Sequence, residues 1–121
     1  MSISIVEIRT IYKICPLTLW QQTDQSGIFS GAPVDAADGY IHFSTAGQVR
    51  NTAGRHFSGE DGLVLVAVDV SKLGSALRWE ESRGGARFPH LYSPLNLEAV
   101  IWVKPLPLGS AGEHHFPELE E

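Results

Sequence analysis

The most continuous apolar stretch of the chain is Leu63-Val64-Leu65-Val66-Ala67-Val68-Asp69-Val70. It is hydrophobic at nearly every position, so both faces are expected to be buried, as in a central strand. Residues 8–14, rich in β-branched and aromatic types, predict another strand. Pro16 suits the first position of a helix, with Leu17 and Trp20 one turn apart and Gly27 as its stop. Between Asp38 and Thr45 the pattern alternates. In an extended segment Tyr40, His42 and Ser44 share one face, while Ile41 and Phe43 turn into a core. Thr45-Ala46-Gly47-Gln48 has the spacing of a capping box. The helix behind it carries Ala46, Val49, Ala53 and Phe57 on one stripe; Gly54 weakens it, and Gly59 and Gly62 end it. Residues 71–76 read as a turn or short helix, 77–80 as a brief strand and 82–87 as a loop. Residues 99–104 form a last strand that Pro105 and Pro107 terminate. From Gly109 the chain turns polar and acidic, with Glu113, Glu118, Glu120 and Glu121. The expectation is one α+β domain over residues 1–108, with two main helices on a mixed or antiparallel sheet, followed by a frayed acidic tail over 109–121.

Length and charge narrow the function classes. A chain of 121 residues suffices for one domain with one ordinary core. A net charge of −5 disfavours nucleic acid and anionic membrane as main partners, since both reward clustered Lys and Arg. No apolar run approaches the roughly 20 residues of a spanning helix. The first residues lack the basic region, apolar stretch and cleavage site of an export signal. A single cysteine, Cys15, excludes an internal disulfide and fits a reducing compartment. A bacterial-type cytoplasmic protein is therefore expected, with Cys15 serving as a small buried hydrophobe.

The candidate chemistry lies in two segments. Tyr40, His42 and Ser44 occupy what should be the outer face of a strand, where Lys, Glu or Thr would be ordinary. Phe88-Pro89-His90-Leu91-Tyr92 similarly lines up Phe88, His90 and Tyr92. Together they read as the walls of a pocket. The helix start at Thr45 would add free N–H groups and a positive dipole end, a natural site for an anion, although Thr45 as a plain cap explains the same residue. The Gly84-Gly85 loop is a candidate cover, and Arg87 a candidate partner for an anionic group. Glu80, beside Trp79, is placed for a raised pKa and acid or base work. His56 reads as a partner of its helix C-terminus, and His114-His115 as solvated. The histidines lack the close pairs typical of zinc sites, so no metal is assigned. No Gly-x-Ser-x-Gly elbow is present.

These segments carry a family resemblance. Ile11-Tyr12-Lys13-Ile14, Asp38 to Thr45, Gln48-Val49, Leu63-Val64-Leu65, Trp79-Glu80 and Phe88 to Tyr92 occur in that order. The chain from about Ile11 to Pro105 resembles the bacterial family called domain of unknown function 952. The resemblance implies a small single-domain cytoplasmic α+β protein and brings no established activity. In fold that family is distantly similar to the ADP-ribosyltransferases, which bind NAD in the cleft of a split sheet. In their His-Tyr-Glu branch, a strand histidine followed by a small hydroxyl residue grips the ribose and nicotinamide side of NAD. His42 with Ser44 resembles that element, Tyr92 the tyrosine that stacks on nicotinamide, and Glu80 the acidic member, although their order here is His, Glu, Tyr. Two functions follow as expectations. One is a small-molecule pocket lined by Tyr40, Ser44, Thr45, Arg87 and Tyr92, with His42, Glu80 and His90 as catalytic candidates. It would bind NAD or a related nucleotide and act in ribosyl transfer or hydrolysis. The other is a non-catalytic interaction domain whose His/Tyr-rich face meets a partner or a second copy, the chain being either a monomer or a homodimer.

Overall fold

A computed structural model describes residues 7–121. In chain order its elements are β1 (Thr10–Pro16), α1 (Leu17–Gln21), β2 (Ile28–Phe29), α2 (Pro33–Asp38), β3 (Ile41–His42), α3 (Ala46–His56), β4 (Leu63–Asp69), β5 (Leu77–Glu81), β6 (Arg87–Leu91), β7 (Leu95–Asn96) and β8 (Val100–Leu106). The apolar run at 63–69 is the central strand, antiparallel to β1 on one side and to β8 on the other. A second antiparallel sheet has the order β3-β6-β5, and β2 pairs with β7 in a third. The domain is thus α+β, as its pattern of elements predicts, with antiparallel pairing throughout the described strands.

Period-two alternation in β4 divides the interior. Val64, Val66 and Val68 face a core shared with Ile11, Cys15, Phe29, Ile41, Phe43 and Leu91. Leu63, Leu65 and Ala67 face a second core with Tyr12, Ile14, Val49 and Ala53, over which α3 lies. Burial on both sides explains why the run is continuous rather than alternating. The α3 stripe follows the same logic: Val49 and Ala53 are buried, and Ala46 and Phe57 pack against them.

The two larger sheets meet at residues 43–44. The Phe43 N–H donates to Pro89 O at 3.0 Å, which keeps that residue with β6. One residue later, Ser44 exchanges both backbone hydrogen bonds with Tyr12, at 2.7 and 2.9 Å, and so joins β1. The extended segment expected between Asp38 and Thr45 is therefore divided. Asp38 ends α2, and Gly39 leaves the helix with φ +88°, a left-handed value that glycine adopts without strain. Only Ile41, His42 and Ser44 make ladder pairs.

Other boundaries also move. β1 begins at Thr10 rather than residue 8 and runs through Pro16, which pairs with Leu63 and precedes the first helical turn. The α2 helix and the β2–β7 pair, of six and two residues, are too short to impose a periodicity and were not expected. β8 continues past Pro105 to Leu106, because an edge strand tolerates a residue without a ladder N–H. No helix among the described residues is long and apolar enough to cross a membrane.

The acidic segment 109–121, expected to fray, packs against the second core. Phe116 and Leu119 lie on it, and Arg50 stacks over the Phe116 ring at 5.2 Å. The Tyr12 hydroxyl donates to Glu120 O at 2.5 Å and accepts from Glu120 N–H at 2.8 Å. His114, expected in solvent, meets Glu60 O through Nε2 at 2.7 Å. The apolar members of the segment decide its placement despite its charge. Removal of residues 116–121 is expected to lower stability by about 2 kcal/mol from the lost apolar cover, read as a fall in Tm of roughly 8 °C; an unchanged Tm would show that the segment contributes nothing to the fold.

Candidate functional site

The register of the β3-β6-β5 sheet builds the site. His42 lies opposite His90, and Arg78 opposite His90 on the other side. Directly opposed residues share a face, so these three form one row across the sheet. Glu80, opposite Phe88, is on the same face two residues along. Tyr40 and Tyr92 flank the row, with ring centroids 5.1 Å apart. The Tyr40 ring stacks on His90 at 4.2 Å and 26°, and the Arg78 guanidinium lies 4.6 Å above the Tyr92 ring.

Glu80 joins the group electrostatically. Its Oε1 accepts from the Tyr92 hydroxyl at 2.7 Å and meets His90 Nδ1 at 2.9 Å. These two hydrogen bonds, Tyr92's the stronger influence, hold the carboxyl below its ordinary pKa. The same bond raises the Tyr92 hydroxyl, while burial raises that of Tyr40. The expectation that Trp79 would raise the Glu80 pKa is thus reversed. Trp79 alternates to the other side of β5 and packs on the first core, so its ring does not desolvate the carboxylate.

Beneath His42 lies a buried ion pair. Asp35, on α2, is 2% exposed. Its Oδ2 is 2.8 Å from Lys13 Nζ and accepts from the Ala32 N–H at 2.7 Å. Its Oδ1 meets Lys13 Nζ at 3.1 Å, the His42 N–H at 3.1 Å and His42 Nδ1 at 2.5 Å. Burial alone would raise the Asp35 pKa. The His42 hydrogen bond, the Lys13 charge and the Ala32 N–H outweigh it and hold the carboxyl at about 2. On the outer side, Asp38 Oδ2 reaches His42 Nε2 at 2.9 Å.

Of the residues singled out from the pattern, the structure brings Tyr40, His42, Glu80, His90 and Tyr92 into this one cluster. Ser44 lies apart: it is 4% exposed under α3, with its Oγ 2.9 Å from Thr52 Oγ1. Thr45 is the N-cap of α3, its N–H donating to Gln48 Oε1 at 3.1 Å. Arg87 supplies its carbonyl to Gln48 Nε2 at 2.7 Å, and its exposed side chain alternates away from Phe88 and His90. The cation at the cluster is Arg78 instead.

Arg78 and Lys13 carry signals in the sequence, whereas Asp35 carries none. Arg78 has the same parity as Glu80 in a five-residue strand. Lys13 is a lone charge inside Ile11-Tyr12-Lys13-Ile14-Cys15, every member of which is buried; a buried ammonium needs a buried anion. Asp35 sits in a helix too short to be foreseen. Cys15 is a core residue, and burial pushes its thiol up to about 11. Among the described residues no group of three His, Cys, Asp or Glu side chains could hold a metal ion. Cavities of about 520 Å³ between α3 and the 112–116 segment, and of about 580 Å³ beside Lys72 and Asn96, lie away from the cluster.

Folding lowers the Asp35 pKa from 3.8 to about 2, so between these values the unfolded chain binds the extra proton. The resulting stabilisation, about 2 kcal/mol, is present in full above the upper value and disappears as the pH falls through the lower one. Urea unfolding followed from pH 6 to pH 2 is expected to show this loss, and Asp35→Asn to abolish it. Lys13→Met, which leaves Asp35 buried without its cation, is expected to cost about 3 kcal/mol.

The family model described as "Protein of unknown function (DUF952)" matches residues 14–103. The crystal structure of protein CC0527 from Caulobacter crescentus is similar at a TM-score of 0.84 and 45% identity, covering 88% of this chain and 93% of that one. The solution NMR structure of CC0527 is similar at a TM-score of 0.77 and 46% identity, covering 86% and 90%. No curated protein matches the chain.

Proposed function

We propose, for a chain that belongs to the family Protein of unknown function (DUF952), that the outer face of β3-β6-β5 binds a nucleotide of the NAD and ADP-ribose class and acts at its ribosyl carbon. The observation that carries this reading is the Glu80 carboxylate, held ionised by Tyr92 and His90 in the middle of an aromatic and cationic cluster. Each neighbour answers one part of such a ligand. Tyr40 and Tyr92 offer ring faces on which a base stacks. Arg78 offers a planar donor fork to a phosphate. The histidines offer hydrogen bonds to ribose hydroxyls.

The reaction class follows from the carboxylate. When the bond between the ribosyl carbon and a pyridinium nitrogen breaks, its electron pair leaves with the nitrogen, which becomes neutral. Positive charge develops on the sugar, and a fixed carboxylate stabilises it. Water or another hydroxyl then forms the new bond to carbon and loses its proton to Glu80 or His90. A carboxyl held low in pKa suits charge stabilisation rather than the general-acid role. The chain order His42, Glu80, Tyr92 differs from that of the His-Tyr-Glu transferases, so these roles rest on the present geometry.

Thermal unfolding with NAD, ADP-ribose and nicotinamide tests the reading. At a hundred times its dissociation constant a ligand adds about 2.7 kcal/mol, and a Tm rise of several degrees is expected. Glu80→Gln is expected to abolish nicotinamide release while retaining much of the binding; Arg78→Met is expected to lose binding of the phosphate-bearing ligands. A face that none of these compounds stabilises would instead favour a protein partner, with Tyr92, at 39% exposure, as its anchor.

A further inference from the structure

The Lys13–Asp35 pair is costly for a purely structural feature. Two ions are removed from water inside a domain of this size, where well-packed apolar residues commonly serve as well or better. The surroundings are shaped around the carboxylate. Gly31 has φ +104°, and a side chain there would place its Cβ 2.8 Å from Asp35 Cβ and 3.0 Å from Oδ2. The chain thus closes tightly over Asp35 and directs the Ala32 N–H onto Oδ2. The other oxygen, Oδ1, takes both the backbone N–H and the ring Nδ1 of His42.

An ionised carboxylate is an acceptor only, so each ring nitrogen that faces one carries a proton. Nδ1 thereby donates inward to Asp35, and Nε2 faces Asp38 Oδ2 at 2.9 Å. The Asp38 side chain is 46% exposed and reaches the ring from the solvent side. A buried and an exposed carboxylate thus bracket the same ring.

We propose that Asp35, locked by Lys13, is a positioning residue that fixes the rotamer of His42 and keeps a proton on its Nδ1, and that His42 Nε2 is the point at which a ligand oxygen replaces Asp38. This deepens the nucleotide-site reading and rests on it for the ligand, the oxygen being that of a ribose hydroxyl. The arrangement resembles the carboxylates that orient metal-ligating histidines, whose loss weakens metal affinity or activity about 10- to 100-fold.

Two measurements on the intact chain separate this inference from the reading beneath it. Imidazole ¹⁵N shifts of His42 are recorded without ligand at about pH 9, where a free histidine ring is neutral. The native protein is expected to keep a proton on Nδ1 whether or not Nε2 also carries one, and Asp38→Asn, whose amide can donate to Nε2, to show the Nδ1–H tautomer. Asp35→Asn, and the apolar pair Lys13→Met with Asp35→Leu should the single change fail to fold, are expected to lose that preference. The affinity for ADP-ribose is then expected to fall about 10-fold or more in the Asp35 variants, with Lys72→Met unchanged. An unchanged tautomer in a folded Asp35 variant would overturn the positioning role. A changed tautomer with unchanged affinity would overturn the assignment of Nε2 to the ligand. Should native protein not bind ADP-ribose at all, the nucleotide reading fails, while the tautomer still decides the role of Asp35.

Discussion

A carboxylate and an ammonium meet where the two larger sheets separate, and much of the local structure is arranged to make that tolerable. Lys13 shares the face of β1 that carries Ile11 and Cys15, so its charge points into an apolar interior. Asp35 is the anion that this interior requires, and α2 is the element that brings it there. The short helix, the left-handed turn at Gly39 and the close approach at Gly31 follow from seating one carboxylate among five donor contacts. Such a pair is a weak source of net stability. What it provides is definition: the backbone and the ring of His42 are both tied to one buried carboxylate oxygen.

Strand β1 is also the hinge of the architecture. The backbone of Tyr12 pairs with Ser44 and so joins the second sheet to the first. The side chain of Tyr12 points to the other core, where its hydroxyl fastens the segment near Glu120. Burial raises the pKa of that hydroxyl, and its neutral form suits its double role as donor and acceptor. One strand therefore links the central sheet, the sheet bearing the candidate site and the C-terminal segment.

Much of this organisation was legible from residue order. The buried run at 63–69, the α3 stripe and the inward turn of Ile41 and Phe43 follow directly from periods of two and 3.6. The convergence of Tyr40, His42, Glu80, His90 and Tyr92 was partly legible too, since unusual residues on strand faces mark those faces. The rest depended on three-dimensional facts without local signatures. Six residues of α2 are too few for a hydrophobic period, so Asp35 had no context. Ser44 obeys strand alternation but enters a different sheet, which removes it from the face of His42. Arg87 and Arg78 are equally basic in sequence, and only the β5–β6 register selects between them. The 109–121 segment reads as solvated from its charge, while two apolar residues, Phe116 and Leu119, determine where it lies.

The central claim is that the ordered cluster above the Lys13–Asp35 pair is where a nucleotide lies. Backbone and side-chain NMR shifts measured during a titration with ADP-ribose test it most directly. The account predicts that the perturbed residues centre on Tyr40, His42, Arg78, Glu80, His90 and Tyr92, leaving Arg50, Gly112 and Phe116 unchanged. Perturbations centred on the cavity between α3 and residues 112–116, or none at millimolar ligand, would contradict it.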